Sequence, residues 1–198
     1  MQLKKIYLIF TICVYGNISY SQNFEWIQTY GTKALEYSTG IVAAENGGSV
    51  FIYNYQGIGG DTVNLSSFKF IDIHKYQNYL VRLHSSGKVS NAIPVGYDGL
   101  VMLKSDGKGN YFVTGYTTGN DSVTKFDKNF KRLWSFKLSK TGLISCLSHF
   151  SEGRLYLSGL TNDSNRIVEI NTSNGNVIWT KNLSKNKLKS FMDIRSVV

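Results

Sequence analysis

Four distances along the chain constrain it more than any single motif does. Leu83 to Phe126 is 43 residues, Phe126 to Ile170 is 44, Phe112 to Tyr156 is 44, and Trp134 to Trp179 is 45. A period of this size marks an array of similar units, each too small to bury its own apolar faces alone. Each unit reads the same way: four short runs rich in Val, Ile, Tyr, Phe and Thr, separated by Gly, Asn, Asp and Ser clusters. Residues 22–198 show no 3.6-residue apolar periodicity, so the runs are strands. Four strands in about 44 residues is the unit of a β-propeller blade.

The expected fold class is therefore all-β. It is a partial propeller of about three four-stranded antiparallel blades, with an N-terminal closing strand and the start of a fourth blade. Blade 1 spans 40–96, blade 2 spans 100–138 and blade 3 spans 143–183. Phe51 to Phe112 is 61 residues, which an insertion at 57–78 accounts for. That insertion has Tyr55, Phe68, Phe70 and Tyr76 in or beside it, and is the most distinctive candidate surface. A packed excursion is the simpler reading.

Residues 24–30 carry Trp26 in the place that Trp134 and Trp179 hold at the end of a blade. A strand in that phase would pair with the last blade and remove two open edges. Residues 190–198 resemble the first strand of another unit, which leads to the expectation that this is the N-terminal part of a longer propeller. Trp26, Trp134 and Trp179, with Gly115 and Gly159 ending the second strand of their units, are the structural repeat positions. Their constant place argues for blade packing rather than sugar stacking.

The start of the chain has a targeting pattern. Lys4 and Lys5 precede the mostly apolar run from Ile6 to Val14, and Ser19 and Ser21 are small residues before Gln22. Residues 1–21 are read as a signal peptide that is removed, with no membrane span after cleavage. Cys13 lacks the small neighbour of a lipoprotein site. Without it Cys146 is alone, so no internal disulfide forms and stability rests on packing. Loss of Lys4 and Lys5 lowers the net charge from +9 to +7.

That basic excess does not read as nucleic-acid binding, because the cluster Lys181, Lys185, Lys187 and Lys189 has no interleaved aromatics. The plainest reading of that cluster is a solvated loop between strands, and a surface facing acidic polysaccharide or lipid head groups is the minority alternative. Metal chemistry is not indicated either: His74, His84 and His149 have no ligand spacing. Asp106-Gly107-Lys108-Gly109-Asn110 opens like a calcium loop but lacks the further carboxylates, and reads as a hairpin turn. Nucleotide-binding glycine patterns and a nucleophile elbow are absent from the sequence. No catalytic, cofactor-binding or metal residues are assigned, and no cofactor is expected.

The stretches Phe126-Asp127-Lys128-Asn129-Phe130-Lys131-Arg132-Leu133-Trp134 and Ile170-Asn171-Thr172-Ser173-Asn174-Gly175-Asn176-Val177-Ile178-Trp179 resemble the strand-turn-strand-Trp motif of quinoprotein-like β-propellers. With Gly115 and Gly159, the unit is also similar to bacterial extracellular propeller repeats. The resemblance covers 24–198 and implies a secreted, surface or periplasmic protein of a Gram-negative bacterium. Such propellers include quinone-dependent dehydrogenases, outer-membrane assembly scaffolds and adhesive proteins. A dehydrogenase would need vicinal Cys, acidic calcium ligands and a catalytic Asp, and no residue here matches those positions. The expectation is a non-catalytic scaffold for an unknown protein or polysaccharide. The alternatives are the propeller part of a secreted enzyme, quinone-dependent or glycan-active, and an outer-membrane assembly scaffold.

Overall fold

The computed structural model describes residues 35–57, 62–71, 76–96, 101–117, 120–137, 143–160 and 164–184. The readings on 1–21, 24–30 with Trp26, and 190–198 lie outside them. Fourteen strands are described and no α-helix is found among these residues. The fold is a partial all-β propeller.

Blade 1 contains β1 (Leu35–Ala43), β2 (Ser49–Gln56), β5 (Tyr76–Leu83) and β6 (Val89–Pro94), paired antiparallel in that order. Blade 2 contains β7 (Met102–Ser105), β8 (Tyr111–Thr117), β9 (Asn120–Phe126) and β10 (Arg132–Lys137). Blade 3 contains β11 (Leu143–Ser151), β12 (Arg154–Leu160), β13 (Ser164–Asn171) and β14 (Val177–Ser184). Between β2 and β5 the chain forms a separate two-stranded hairpin, β3 (Thr62–Leu65) and β4 (Phe68–Ile71).

Among the first strands, β7 neighbours both β1 and β11. The Thr39 hydroxyl donates to the Val101 carbonyl, tying β1 to the start of β7. Asn54, buried in β2, donates Nδ2 to the Tyr37 carbonyl at 3.0 Å and to Thr39 Oγ1 at 3.2 Å. These bonds fill the irregular stretch of β1 between Ser38 and Ile41, where the strand register shifts.

Apolar runs without alternation reflect strands buried on both faces. In β2, Val50 and Ile52 face blade 2, packing with Leu80, Leu103, Tyr111, Val113 and Phe130. Tyr53 and Tyr55 face the other way and pack with Val63 and Leu65 of β3. Likewise Phe112 and Val123 face Leu155, Leu157, Val168 and Ile170 of blade 3. By contrast β3 alternates, with Val63 and Leu65 buried and Thr62 and Asn64 exposed, as a strand with one wet face should.

The insertion is thus a cap. It covers Tyr53, Tyr55, Tyr79, Val81, Leu83, Val89 and Ala92 on the face of blade 1 that blade 2 does not reach, with Phe70 and Tyr79 rings 4.6 Å apart. Tyr76 has no described side chain. Beneath the hairpin, burial and the neighbouring Glu36 carboxylate raise the Tyr53 hydroxyl well above the usual phenol range. An unfolded Tyr53 ionises near pH 10.0 while the folded one keeps its proton. The stabilisation is therefore complete below about pH 10 and declines as pH rises above it. Urea midpoints measured from pH 8 to 11 should fall at the alkaline end, and Tyr53→Phe should flatten that fall.

Two expectations shift. The first strand starts at Leu35, five residues before Gly40. The equivalent of Phe112 is Val50, one residue from Phe51. Ala44 N–H donates to Gly48 O, as Asp106 N–H does to Asn110 O, so the strands begin in step at Ser49 and Tyr111. A one-residue slip exchanges the faces of a strand, and Phe51 accordingly lies on the hairpin side.

Candidate functional site

The register lines up one row of side chains across each blade. Val50 pairs with Arg82 and Arg82 with Asn91 in blade 1. Phe112 pairs with Lys125 and Lys125 with Trp134 in blade 2. Tyr156 pairs with Glu169 and Glu169 with Trp179 in blade 3. Because blades follow one another at a fixed spacing, the row of one blade meets the last turn of the next.

At the second junction this contact is fully bonded. Trp134 Nε1 donates to the Thr172 carbonyl at 3.1 Å, and Lys125 Nζ donates to the same oxygen at 2.9 Å. The Trp134 ring is tilted against that of Phe112, with centroids 6.1 Å apart, and lies against Gly175. At the first junction, Asn91 takes the Trp place and its Nδ2 donates to the Asn129 carbonyl at 3.4 Å. In blade 3, Trp179 is 39% exposed with its ring 6.4 Å from Tyr156, and Glu169 is buried in an ion pair with Arg154. Gly115 pairs with Ser122 and Gly159 with Arg166, both near the ends of second strands.

The first junction differs from the second at Arg82. Its guanidinium lies over the rings of Phe130, 4.7 Å from the centroid, and Tyr111, at 5.6 Å. Nε and Nη2 are buried and have no hydrogen-bond partner among the described residues. Beside it opens a cleft of about 310 Å³, lined by Glu45, Asn46, His84, Ser85, Ser90, Tyr111, Lys128 and Asn129 among others. The turns β1–β2, β5–β6 and β9–β10 all contribute to it.

The aspartates of the β7–β8 and β9–β10 turns organise their own loops. Asp106 Oδ1 accepts the N–H groups of Lys108 at 2.8 Å and Asn110 at 3.0 Å, and its Oδ2 accepts Asn110 Nδ2 at 2.6 Å. Asp127 Oδ1 accepts the N–H groups of Asn129 and Lys131, both at 2.8 Å. Asn171 plays the same part for Ser173 at 2.9 Å. These are Asx turns, in which the side chain stands in for a backbone acceptor. They give the Asp106 loop a structural use.

Among the sequence positions singled out, His84 reaches the cleft. There its Nδ1 accepts the Ser86 N–H at 3.2 Å. Nothing is described for the side chains of His74, Cys146 and His149. Lys181 is exposed on β14, and Lys185, Lys187 and Lys189 lie outside the described residues. Among the described residues no three His, Cys, Asp or Glu side chains gather as a metal site would require. Arg82, Lys128 and Asn129 escaped the sequence reading. The signal that could have found Arg82 is its place in step with Lys125, 43 residues on.

No protein-family model matches this chain, and no curated protein is significantly similar to it.

Proposed function

We propose that the chain is an exported, non-catalytic β-propeller scaffold of the quinoprotein-like, extracellular-repeat kind, whose turns present contacts to a protein or glycan partner. The observation that carries this reading is the cleft between blades 1 and 2. It is concave, it exposes polar and apolar surface in similar measure, and it is built from turns of both blades while the strands behind it are occupied with packing. Rigid strands carrying variable turns are the usual arrangement of a recognition surface. Export rests on the pattern in residues 1–21, and a secreted, surface or periplasmic location follows from it.

Affinity electrophoresis of the purified chain through gels containing neutral or acidic polysaccharides tests the reading, with the polysaccharide sized afterwards. Retardation without shortening of the polysaccharide is expected. Shortened products would replace the scaffold by the glycan-active enzyme, and no retardation in any gel would remove the glycan partner.

A further inference from the structure

At the equivalent place on two successive blades the chain puts a long cationic side chain, Arg82 on β5 and Lys125 on β9. The two meet different fates. Lys125 delivers its ammonium to the Thr172 carbonyl of the next blade. The corresponding carbonyl at the first junction, Asn129 O, is bonded by Asn91, and Arg82 makes no such bond.

Its charge is also unanswered among the described residues. No carboxylate among them is found in an ion pair with Arg82, whereas Arg154 pairs with Glu169. A half-buried guanidinium with unmet N–H groups and no counter-charge is costly unless an acceptor arrives. Positions that break a rule obeyed by their repeat equivalents are where function is to be sought.

The cleft beside Arg82 has the character of an anion site. Lys128 lines it with a second positive charge, while Asp106 and Asp127 are turned into their own loops. Glu45 is the single carboxylate among the lining residues, and its Oε1 rests against Gly109 of the neighbouring turn. Asn46, Ser85, Ser90 and Asn129 supply amides and hydroxyls around the charges. Those groups suit a hydroxylated ring better than an apolar side chain, and the volume lies at the lower end of small-ligand clefts.

We propose that this cleft binds the carboxylate-bearing ring of an acidic polysaccharide, with Arg82 and Lys128 as its counter-charges. The proposal rests on the scaffold reading and names its ligand class. A uronate carboxylate supplies the counter-charge for the guanidinium and for the Lys128 ammonium, and the flat guanidinium is held in place by the Phe130 and Tyr111 rings.

Isothermal titration of the full chain with trigalacturonate, and with the same trisaccharide fully methyl-esterified, separates charge from sugar shape. Trigalacturonate should bind at least about tenfold more tightly than the ester, a difference of about 1.4 kcal/mol. Lys128→Gln, on an exposed turn, should reduce the acidic trisaccharide's affinity several-fold, whereas Lys181→Gln on β14 should leave it unchanged. Arg82→Met keeps the apolar stem over Phe130 and should abolish the preference for the acid over the ester. Lys128→Gln keeps the test open if that chain does not fold.

Equal affinity for acid and ester would overturn the anion site while leaving the scaffold standing. Equal losses from Lys128→Gln and Lys181→Gln would reduce the effect to net charge and also overturn it. No binding of trigalacturonate at millimolar concentration would do the same, and retardation by neutral polysaccharide alone would confirm that only this inference had failed.

Discussion

Leu65→Ala is expected to lower the unfolding free energy by about 2–5 kcal/mol, and Leu65→Asp to prevent folding. Leu65 is fully buried on β3, within the cluster formed by Val63, Tyr53, Tyr55, Tyr79 and Val81. Truncation leaves a cavity beneath the hairpin. An aspartate there would bury a charge in a cluster of apolar and aromatic side chains, at a cost comparable with the whole stability of a domain. Asn64 points to solvent on the same strand, and Asn64→Ala should stay within about 0.5 kcal/mol of the parent. Urea titration followed by fluorescence reads all three. A soluble Leu65→Asp chain with an unshifted midpoint would mean that the hairpin does not cap blade 1.

Gly175→Val is expected to cost about 2–4 kcal/mol through two separate effects. Gly175 has φ +77°, in the left-handed region that a β-branched residue resists. A Cβ there would also lie 2.8 Å from Trp134 Cε3 and 2.9 Å from Cδ2. The indole cannot swing aside without breaking its bond to Thr172 O. Gly107 makes the comparison: its φ is +69°, but nothing lies within 4 Å of its missing Cβ. Gly107→Val should therefore show the backbone strain alone, about 1–2 kcal/mol. If the two losses were equal, Trp134 would not be packed on that turn, and the bonded contact between blades 2 and 3 would have to be redrawn.

Trp134 also shows why repeat positions need two descriptions. On β10 it is an inter-blade latch, bonded and half-buried. Trp179, 45 residues later, occupies the same place on β14, yet it is 39% exposed in the described structure. Trp134 takes its hydrogen bond from Thr172 and lies against Gly175, both of blade 3, whereas the ring near Trp179 is that of Tyr156 in its own blade.

Local chemistry made much of the architecture legible in advance. Alternating and continuous apolar runs depend on which strand faces are buried, and Asp, Asn and Gly at turn positions act within a few residues. The four strands per unit, the turns at Glu45–Gly47, Asp106–Asn110 and Glu152–Gly153, and the presence of an insertion after β2 could all be read from residue order. The single-residue offset at Phe51 could not. Both Val50 and Phe51 are apolar, and only the partner on each face, blade 2 or the hairpin, tells them apart.

Tertiary structure alone decided where the insertion docks and which cation goes unanswered. As sequence, Phe68 and Phe70 favour a packed excursion but also allow an exposed recognition loop. Contacts with Tyr79 and Tyr53, distant along the chain, select the cap. Arg82 is an ordinary strand residue by composition. Its importance appears only when Asn91 has bonded the neighbouring carbonyl and Phe130 and Tyr111 have closed over the guanidinium. Strand identity is set by neighbours in sequence, whereas the satisfaction of a buried charge is set by groups that only folding brings together.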